Sequence, residues 1–345
     1  MDENECHTSN TQSQVMSPTI VLVAALGALI VLAAAFVRVQ LRRSAQVYVS
    51  TQEEGVAGRT IQLIPWQGVY KMRLHIGGSA VNAVVDTGSS RLLVSSSCCK
   101  SCDSIRGGAV TTTCRPEQTC QPVQFGSQKD CVEWLDMRVC LGHDDSECTR
   151  IQVGAVHERS GDSNLNVAGM SPTVGRSALV RSFAQAYGSV VTIHLRPSPW
   201  FSLLYTPKSS VSILSFSNSV DEGMMRVGNF KPSPGSGADL CADVADGTAL
   251  LNGKSLPNIR MACYDTGSNI VSFPSRLQDK LGFKSTSNKL SIHGVDFSPF
   301  SKGAVLYHDA PVDADLVIVG SPALMNVRMS FDLRDETLHF SPWTA

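Results

Sequence analysis

The sequence predicts an all-β protein of two related lobes, preceded by a single membrane-spanning helix, and three observations carry that reading. From Thr60 onward the chain breaks into short runs of alternating apolar and polar residues separated by Gly and Pro, the pattern of strands joined by tight turns. The tripeptide Asp-Thr-Gly occurs twice, at 86–88 and 265–267, in matched surroundings. An uncharged apolar run at 20–37 stands apart near the start.

In chain order, residues 1–17 are polar and read as a disordered tail, and 18–38 as the transmembrane helix. The eighteen residues of the apolar run make about 27 Å of helix, close to the roughly 30 Å of a bilayer's hydrocarbon layer. A cleaved signal peptide is the competing reading, because Ala33-Ala34-Ala35 suits a cleavage site. The stretch before it carries Asp2, Glu3 and Glu5 and no Lys or Arg, unlike the basic start of a signal peptide, so a retained anchor is favoured. Residues 39–58 read as a stalk, 59–235 as the first lobe and 236–345 as the second. The Pro- and Gly-rich stretch at 232–237 marks the boundary. Strands are expected at 60–64, 70–76 and 81–85, with Gly77-Gly78 turning between the last two, and further on at 151–153, 190–195, 211–214, 316–319 and 329–333. Helical pattern is confined to about 178–186 and 274–281, where Pro274 suits a first helical turn.

Composition narrows the function classes. Of 345 residues, 43% are hydrophobic and 17% charged, enough apolar matter for a sizeable core and too much for wholesale disorder. Lys and Arg number 29 against 30 Asp and Glu, a net charge of −1. That balance supplies no clustered basic face, and nucleic acid is set aside as a partner.

Eleven cysteines are present, and eight of them (Cys98, Cys99, Cys102, Cys114, Cys120, Cys131, Cys140, Cys148) fall within 51 residues. They read either as disulfides of an oxidising compartment or as a zinc site. Cys99 and Cys102 have zinc-knuckle spacing, but no second such pair follows and His143 is the only histidine nearby. Disulfides are favoured and no metal is expected; eight cysteines allow 105 pairings, so spacing alone leaves the connectivity open. Cys241 and Cys263 could form a further pair. The cysteines put the bulk of the chain in a lumenal or extracellular space. Arg38, Arg42 and Arg43, just after the apolar run, argue for the cytoplasmic side. The dense cysteine cluster is the stronger chemical commitment.

Each Asp-Thr-Gly follows an apolar strand-like run and is followed by Ser and more apolar residues: Val84-Val85-Asp86-Thr87-Gly88-Ser89-Ser90 and Cys263-Tyr264-Asp265-Thr266-Gly267-Ser268-Asn269. A stray copy would occur in about one chain in fifteen of this length at ordinary residue usage; two in matched settings point to a duplicated device. An Asp on a tight turn at a strand end is held out from the sheet. Gly88 and Gly267 permit close approach that a Cβ would block. Thr87, Ser89, Thr266 and Ser268 offer hydroxyls that can fix and tune a carboxylate. Two such turns facing each other bring two carboxylates together, and like charges that close share one proton. The ionised partner can activate a water while the protonated one donates to a carbonyl.

On these residues the chain resembles the pepsin-like aspartic peptidases. Asp86-Thr-Gly-Ser-Ser-Arg-Leu-Leu-Val-Ser is similar to that family's D-T-G-S-S-x-L-W-V-x, and 151–154 to the strand leaving its flap. Val167-Ala168-Gly169 and Ile318-Val319-Gly320 resemble the hydrophobic-hydrophobic-Gly segments that pack beneath each active-site turn. The stretches 316–321 and 329–340 resemble its C-terminal strands, and the likeness runs from about 60 to 342. It implies a bilobal fold with the cleft between the lobes, a self-contained monomeric catalytic unit with Asp86 and Asp265 as catalytic carboxylates, no cofactor, and peptide or protein substrates cut at acidic pH. The alternative implied is a catalytically inactive binding protein of the same fold.

Three departures stand out. The family's flap tyrosine, in a Y-G-x-G string, has no counterpart between Phe125 and Val153, where the hairpin is expected; Trp134 is the one aromatic near that position and is the candidate substitute. Leu93 stands where the family has a tryptophan. A Cys131–Cys140 bridge would stiffen such a hairpin. From Asp265 to Gly320 is 55 residues, against 83 from Asp86 to Gly169, so the second lobe is expected to be cut down.

Overall fold

The computed structural model of the chain describes residues 58–99, 101–102, 107–114, 120–125, 128–141, 148–160, 166–172, 179–196, 211–232, 240–309 and 315–341. The expected tail, the anchor and all but the last stalk residue lie outside these, as does Cys6. Among the described residues no helix is long and apolar enough to cross a membrane.

The described residues form a mostly β body. Its first part runs β1 (Arg59–Gln62), β2 (Ile64–Trp66), β3 (Val69–Ile76), β4 (Ser79–Asp86), β5 (Leu92–Ser95), β6 (Gln121–Phe125), β7 (Gln128–Cys140), β8 (Cys148–Ser160) and β9 (Asn166–Gly169). The run expected at 60–64 is two strands: the chain changes sheets at Leu63, β1 pairing with a later strand and β2 with β3. Gly77 and Gly78 turn β3 into β4 with φ of 54° and 85°, a left-handed pair suited to the twist of a hairpin. Strands β2 to β9 form an eight-stranded sheet in the order β2-β3-β4-β9-β5-β8-β7-β6. Within it β9 slides between β4, to which it is parallel, and β5, to which it is antiparallel, and this sets Gly169 in register with Asp86.

A middle stretch follows: α1 (Leu179–Tyr187), β10 (Val190–His194), β11 (Ile213–Ser217) and β12 (Met225–Asn229). Helix α1 buries Leu179, Val180 and Phe183 and stops at Gly188, whose φ of 126° no side-chain-bearing residue adopts cheaply. The last part comprises β13 (Cys241–Asp243), β14 (Leu250–Leu251), β15 (Lys254–Ser255), β16 (Met261–Asp265), β17 (Val271–Pro274), β18 (Leu290–Ile292), β19 (Val295–Asp296), β20 (Val305–His308), β21 (Leu316–Gly320), α2 (Ser321–Leu324), β22 (Arg328–Asp332) and β23 (Thr337–Phe340). Here β21 slides between β16, parallel to it, and β17, antiparallel to it, in the five-stranded order β13-β16-β21-β17-β20. Gly320 comes into register with Asp265. The arrangement of the first sheet is thus repeated.

The helix expected at 274–281 shrinks to a 3-10 turn, Ser275–Leu277. Val271 and Phe273 are fully buried, and the parallel pairing of β17 with β20 holds the chain extended through Pro274. Tertiary burial overrides the local pattern.

The two halves are joined by a six-stranded sheet, β1-β11-β10-β22-β23-β12, drawing strands from the start, middle and end of the chain. One face alternates apolar residues into the core (Ile61, Val191, Ile193, Leu214, Phe216, Met329, Phe331, Leu338 and Phe340). The strands of 190–229, expected in the first lobe, lie in this shared sheet. The expected boundary at 235/236 falls in residues outside the description.

Ten cysteines pair as Cys98–Cys114, Cys99–Cys102, Cys120–Cys131, Cys140–Cys148 and Cys241–Cys263. The zinc reading of the cysteine cluster falls away, and an oxidising compartment follows. The Cys131–Cys140 bridge is overturned. The two lie at opposite ends of β7: Cys140 faces Cys148 across the β7–β8 pair, and Cys131 reaches back to Cys120 beside β6.

Candidate active site

Strands β4 and β16 each end on an aspartate, and the two turns that follow meet. A Cβ on Gly88 would lie 2.6 Å from the carboxyl carbon of Asp265, and one on Gly267 would lie 2.6 Å from that of Asp86. Only a hydrogen fits at either place, so each glycine is what lets the opposite carboxylate in. The two carboxyls are close enough to share a hydrogen bond.

The turns are locked together beneath the carboxylates. Thr87 N–H donates to Thr266 Oγ1 at 3.2 Å, and Thr266 N–H donates to Thr87 Oγ1 at 3.0 Å. Each hydroxyl in turn donates across the interface, Thr87 to the Tyr264 carbonyl and Thr266 to the Val85 carbonyl, both at 2.6 Å. Both threonines are fully buried, so these bonds are made away from competing water, and losing one strands several polar groups at once.

Glycines 169 and 320 complete the support. A Cβ on Gly169 would sit 2.3 Å from the Arg91 backbone nitrogen, and one on Gly320 would sit 1.9 Å from the Ile270 carbonyl oxygen. The segments after them close on the turns: Met170 N–H donates to the Asp86 carbonyl, Ser171 N–H to that of Ser89, and Ser321 N–H to that of Ser268. The Ser321 hydroxyl adds a bond to the Thr266 carbonyl at 2.7 Å, a contact the sequence did not single out.

Around the carboxylates the two turns differ. Asp86 accepts from Gly88 N–H at 2.9 Å and from the Ser89 hydroxyl at 2.7 Å. Asp265 accepts from the backbone N–H groups of Gly267 and Ser268 at 2.9 and 3.2 Å, while the Ser268 hydroxyl turns to the Ile270 carbonyl instead. Enclosure of its carboxyl first, then the charge of Asp86 and the hydrogen bond between them, hold Asp265 well above the usual carboxylate range, against the two N–H groups. Asp265 is the member that keeps a proton.

Trp134 is not at a hairpin end. It lies mid-way along β7, opposite Gly154, half-buried on the small cluster of Leu93, Val132 and Val156. A Cβ on Gly154 would come within 2.4 Å of Leu93 and 3.1 Å of the Trp134 ring, so Trp134 and Leu93 fill one space between them. The tight hairpin of the region is β6–β7, where Phe125 pairs with Gln128 across two intervening residues. Trp134 does have a charged neighbour: the guanidinium of Arg91 lies 5.9 Å from its ring centroid.

Among the described residues no group of His, Cys, Asp and Glu is arranged to hold a metal ion. The chain matches no family model and no curated protein.

Proposed function

We propose that the protein is an aspartic endopeptidase of pepsin-like, bilobal architecture, and the observation that carries this reading is the pair of carboxyls, Asp86 and Asp265, each seated on the other turn's glycine. The repeated strand insertion around β9 and β21 supports the two-lobe reading, since each half presents one aspartate at the same register position.

The chemistry follows from the asymmetry. Asp86, steadied by Gly88 N–H and the Ser89 hydroxyl, is the ionised member and takes a proton from a water held between the carboxyls. That water's oxygen attacks the peptide carbonyl carbon. Asp265 donates its proton to the carbonyl oxygen as it becomes a hydroxyl, giving a tetrahedral diol. Collapse breaks the C–N bond as the proton on Asp86 passes to the leaving nitrogen, and the diol returns one to Asp265. Because the pair works with a single proton, activity is bounded on both sides of pH, with the high-pH limb set by loss of the proton that Asp265 holds so firmly.

Five disulfides fit a working space that is oxidising. With residues 18–38 as an anchor, the peptidase body would face the lumen or the cell exterior. The flap, in this reading, is the β6–β7 hairpin, braced at its base by Cys120–Cys131, and not the neighbourhood of Trp134.

The full-length protein, offered unstructured apolar peptides between pH 3 and 7, should cut them, with pepstatin blocking the reaction. Cleavage that survives both Asp86→Asn and Asp265→Asn would end the assignment. Tight binding of a peptide or protein without cleavage at any pH would favour the inactive binding protein instead.

A further inference from the structure

We propose that Arg91 recognises an acidic side chain of the substrate, so that the cleft favours peptides carrying Glu or Asp close to the bond it cuts; the inference rests on the peptidase reading above.

Arg91 comes five residues after Asp86 and is tied to the same support. Its carbonyl accepts from Gly169 N–H at 2.9 Å, one residue before Met170 N–H reaches the Asp86 carbonyl. The backbone of Arg91 is thus fixed relative to the catalytic turn, while its side chain is exposed. The guanidinium rests over the Trp134 ring, a stack that costs little hydration and limits the rotamers a free arginine would sample. Trp134 is itself packed against Leu93 and Gly154, which supports one face of the platform. No ion pair joins Arg91 to a carboxylate among the described residues. The acidic groups beside Trp134 on β7 are otherwise engaged, Glu133 by His157 at 2.9 Å and Asp136 by Arg150 at 3.6 Å. A cation set over an aromatic ring, on the segment that follows the catalytic turn and carrying a planar fork of donors, suits a carboxylate ligand.

The pH dependence of such recognition is distinctive. A substrate Glu takes up a proton near its ordinary value of about 4.3 and then offers the guanidinium no opposite charge. The preference for Glu should therefore fade as pH falls through about 4, in a range where the carboxyl pair itself still works.

The test uses the full-length protein and peptides matched except for Glu or Gln, placed in turn at each position flanking the cut, from pH 3 to 6.5. At one position the Glu/Gln ratio of kcat/KM should be about threefold above pH 5, the size expected of a partly exposed ion pair, and near one at pH 3. The ratio should fall to one in R91Q at every pH and be partly restored in R91K, which keeps the charge but loses the fork. A ratio of one at every position in the unmodified protein, or a preference that survives R91Q, overturns the inference while the Gln peptide's cleavage keeps the peptidase reading standing. Failure to cut either peptide at any pH overturns both.

Discussion

The two halves of this molecule carry the same turn and use it differently. In the first, the hydroxyl of Ser89 donates to the carboxylate of Asp86; in the second, the hydroxyl of Ser268 turns away to the Ile270 carbonyl and leaves Asp265 with backbone donors alone. Enclosure and the charge of Asp86 hold the proton on Asp265, and no serine hydroxyl opposes them there. The surroundings differ as well. Beyond the inserted strand, the first sheet continues through β8 into the long β7 and then β6, whereas the second stops at β20, where Leu306 is 53% exposed. Four of the five disulfides fall in the first half, on the added strands and loops. Symmetry is strict in the threonine lock and lapses away from it, because only that contact has to satisfy both halves at once.

The largest effect expected from breaking this pairing is on the chemistry. Asp86→Asn and Asp265→Asn should each lower kcat/KM by about a thousandfold or more, since either removes the base or the acid of a two-carboxylate mechanism. A steady-state assay at the pH optimum checks it; a variant that kept a tenth of the activity would show that the halves are not equivalent partners.

Next comes the lock beneath them. Thr87→Val and Thr266→Val should each destabilise the fold by about 2–4 kcal/mol, because each deletes a buried hydroxyl that both donates and accepts across the interface. The double variant should cost clearly less than the sum, as the two belong to one network. Denaturant unfolding of all three variants measures this, and plain additivity would mean that the crossed bonds act separately.

The difference between the serines gives a finer test. Ser89→Ala removes the hydroxyl that favours the ionised carboxylate, so the acid limb of the kcat/KM profile should move to higher pH by about one unit, the worth of a hydrogen bond to a charged group. Ser268→Ala should move that limb little. Equal shifts would erase the assigned asymmetry.

The smallest effect concerns stability. Asp265 binds its proton more firmly when folded than its ordinary value of 3.8 would allow. Between that value and the raised one, the native state holds a proton that the unfolded chain has released. The stabilisation is complete below about pH 4 and is lost as pH rises through the raised value. The melting temperature should accordingly decline on going from pH 4 toward neutrality, and Asp265→Asn, which cannot ionise, should flatten that decline. An unchanged slope in the Asn variant would place the pH dependence elsewhere.

How much of this could be read in advance depended on how local the signal was. The Gly77-Gly78 turn, the strands at 70–76 and 190–195 and the helix from Leu179 rest on neighbours in the chain, and they were legible. The reading of 274–281 failed because Phe273 is buried by strands from residues 305–308 and 316–320, which no window around Pro274 contains. The cysteines told of disulfides but not of partners, since Cys131 chooses Cys120 over Cys140 through strand register. Trp134 was singled out for its position in the sequence; its strand runs past the hairpin end and carries it onto Leu93.

By itself the sequence determined that two Asp-Thr-Gly turns, each at the end of an apolar strand, stand in one mostly β chain with paired glycines downstream, because strand pattern and turn chemistry are properties of a few adjacent residues. Only the tertiary structure decided that the turns interlock through Thr87 and Thr266, that each glycine admits the other half's carboxylate, and that Asp265 is the one to hold a proton. Those facts depend on atoms 179 residues apart in the chain coming within a hydrogen bond's length, and on the enclosure that their meeting gives the Asp265 carboxyl.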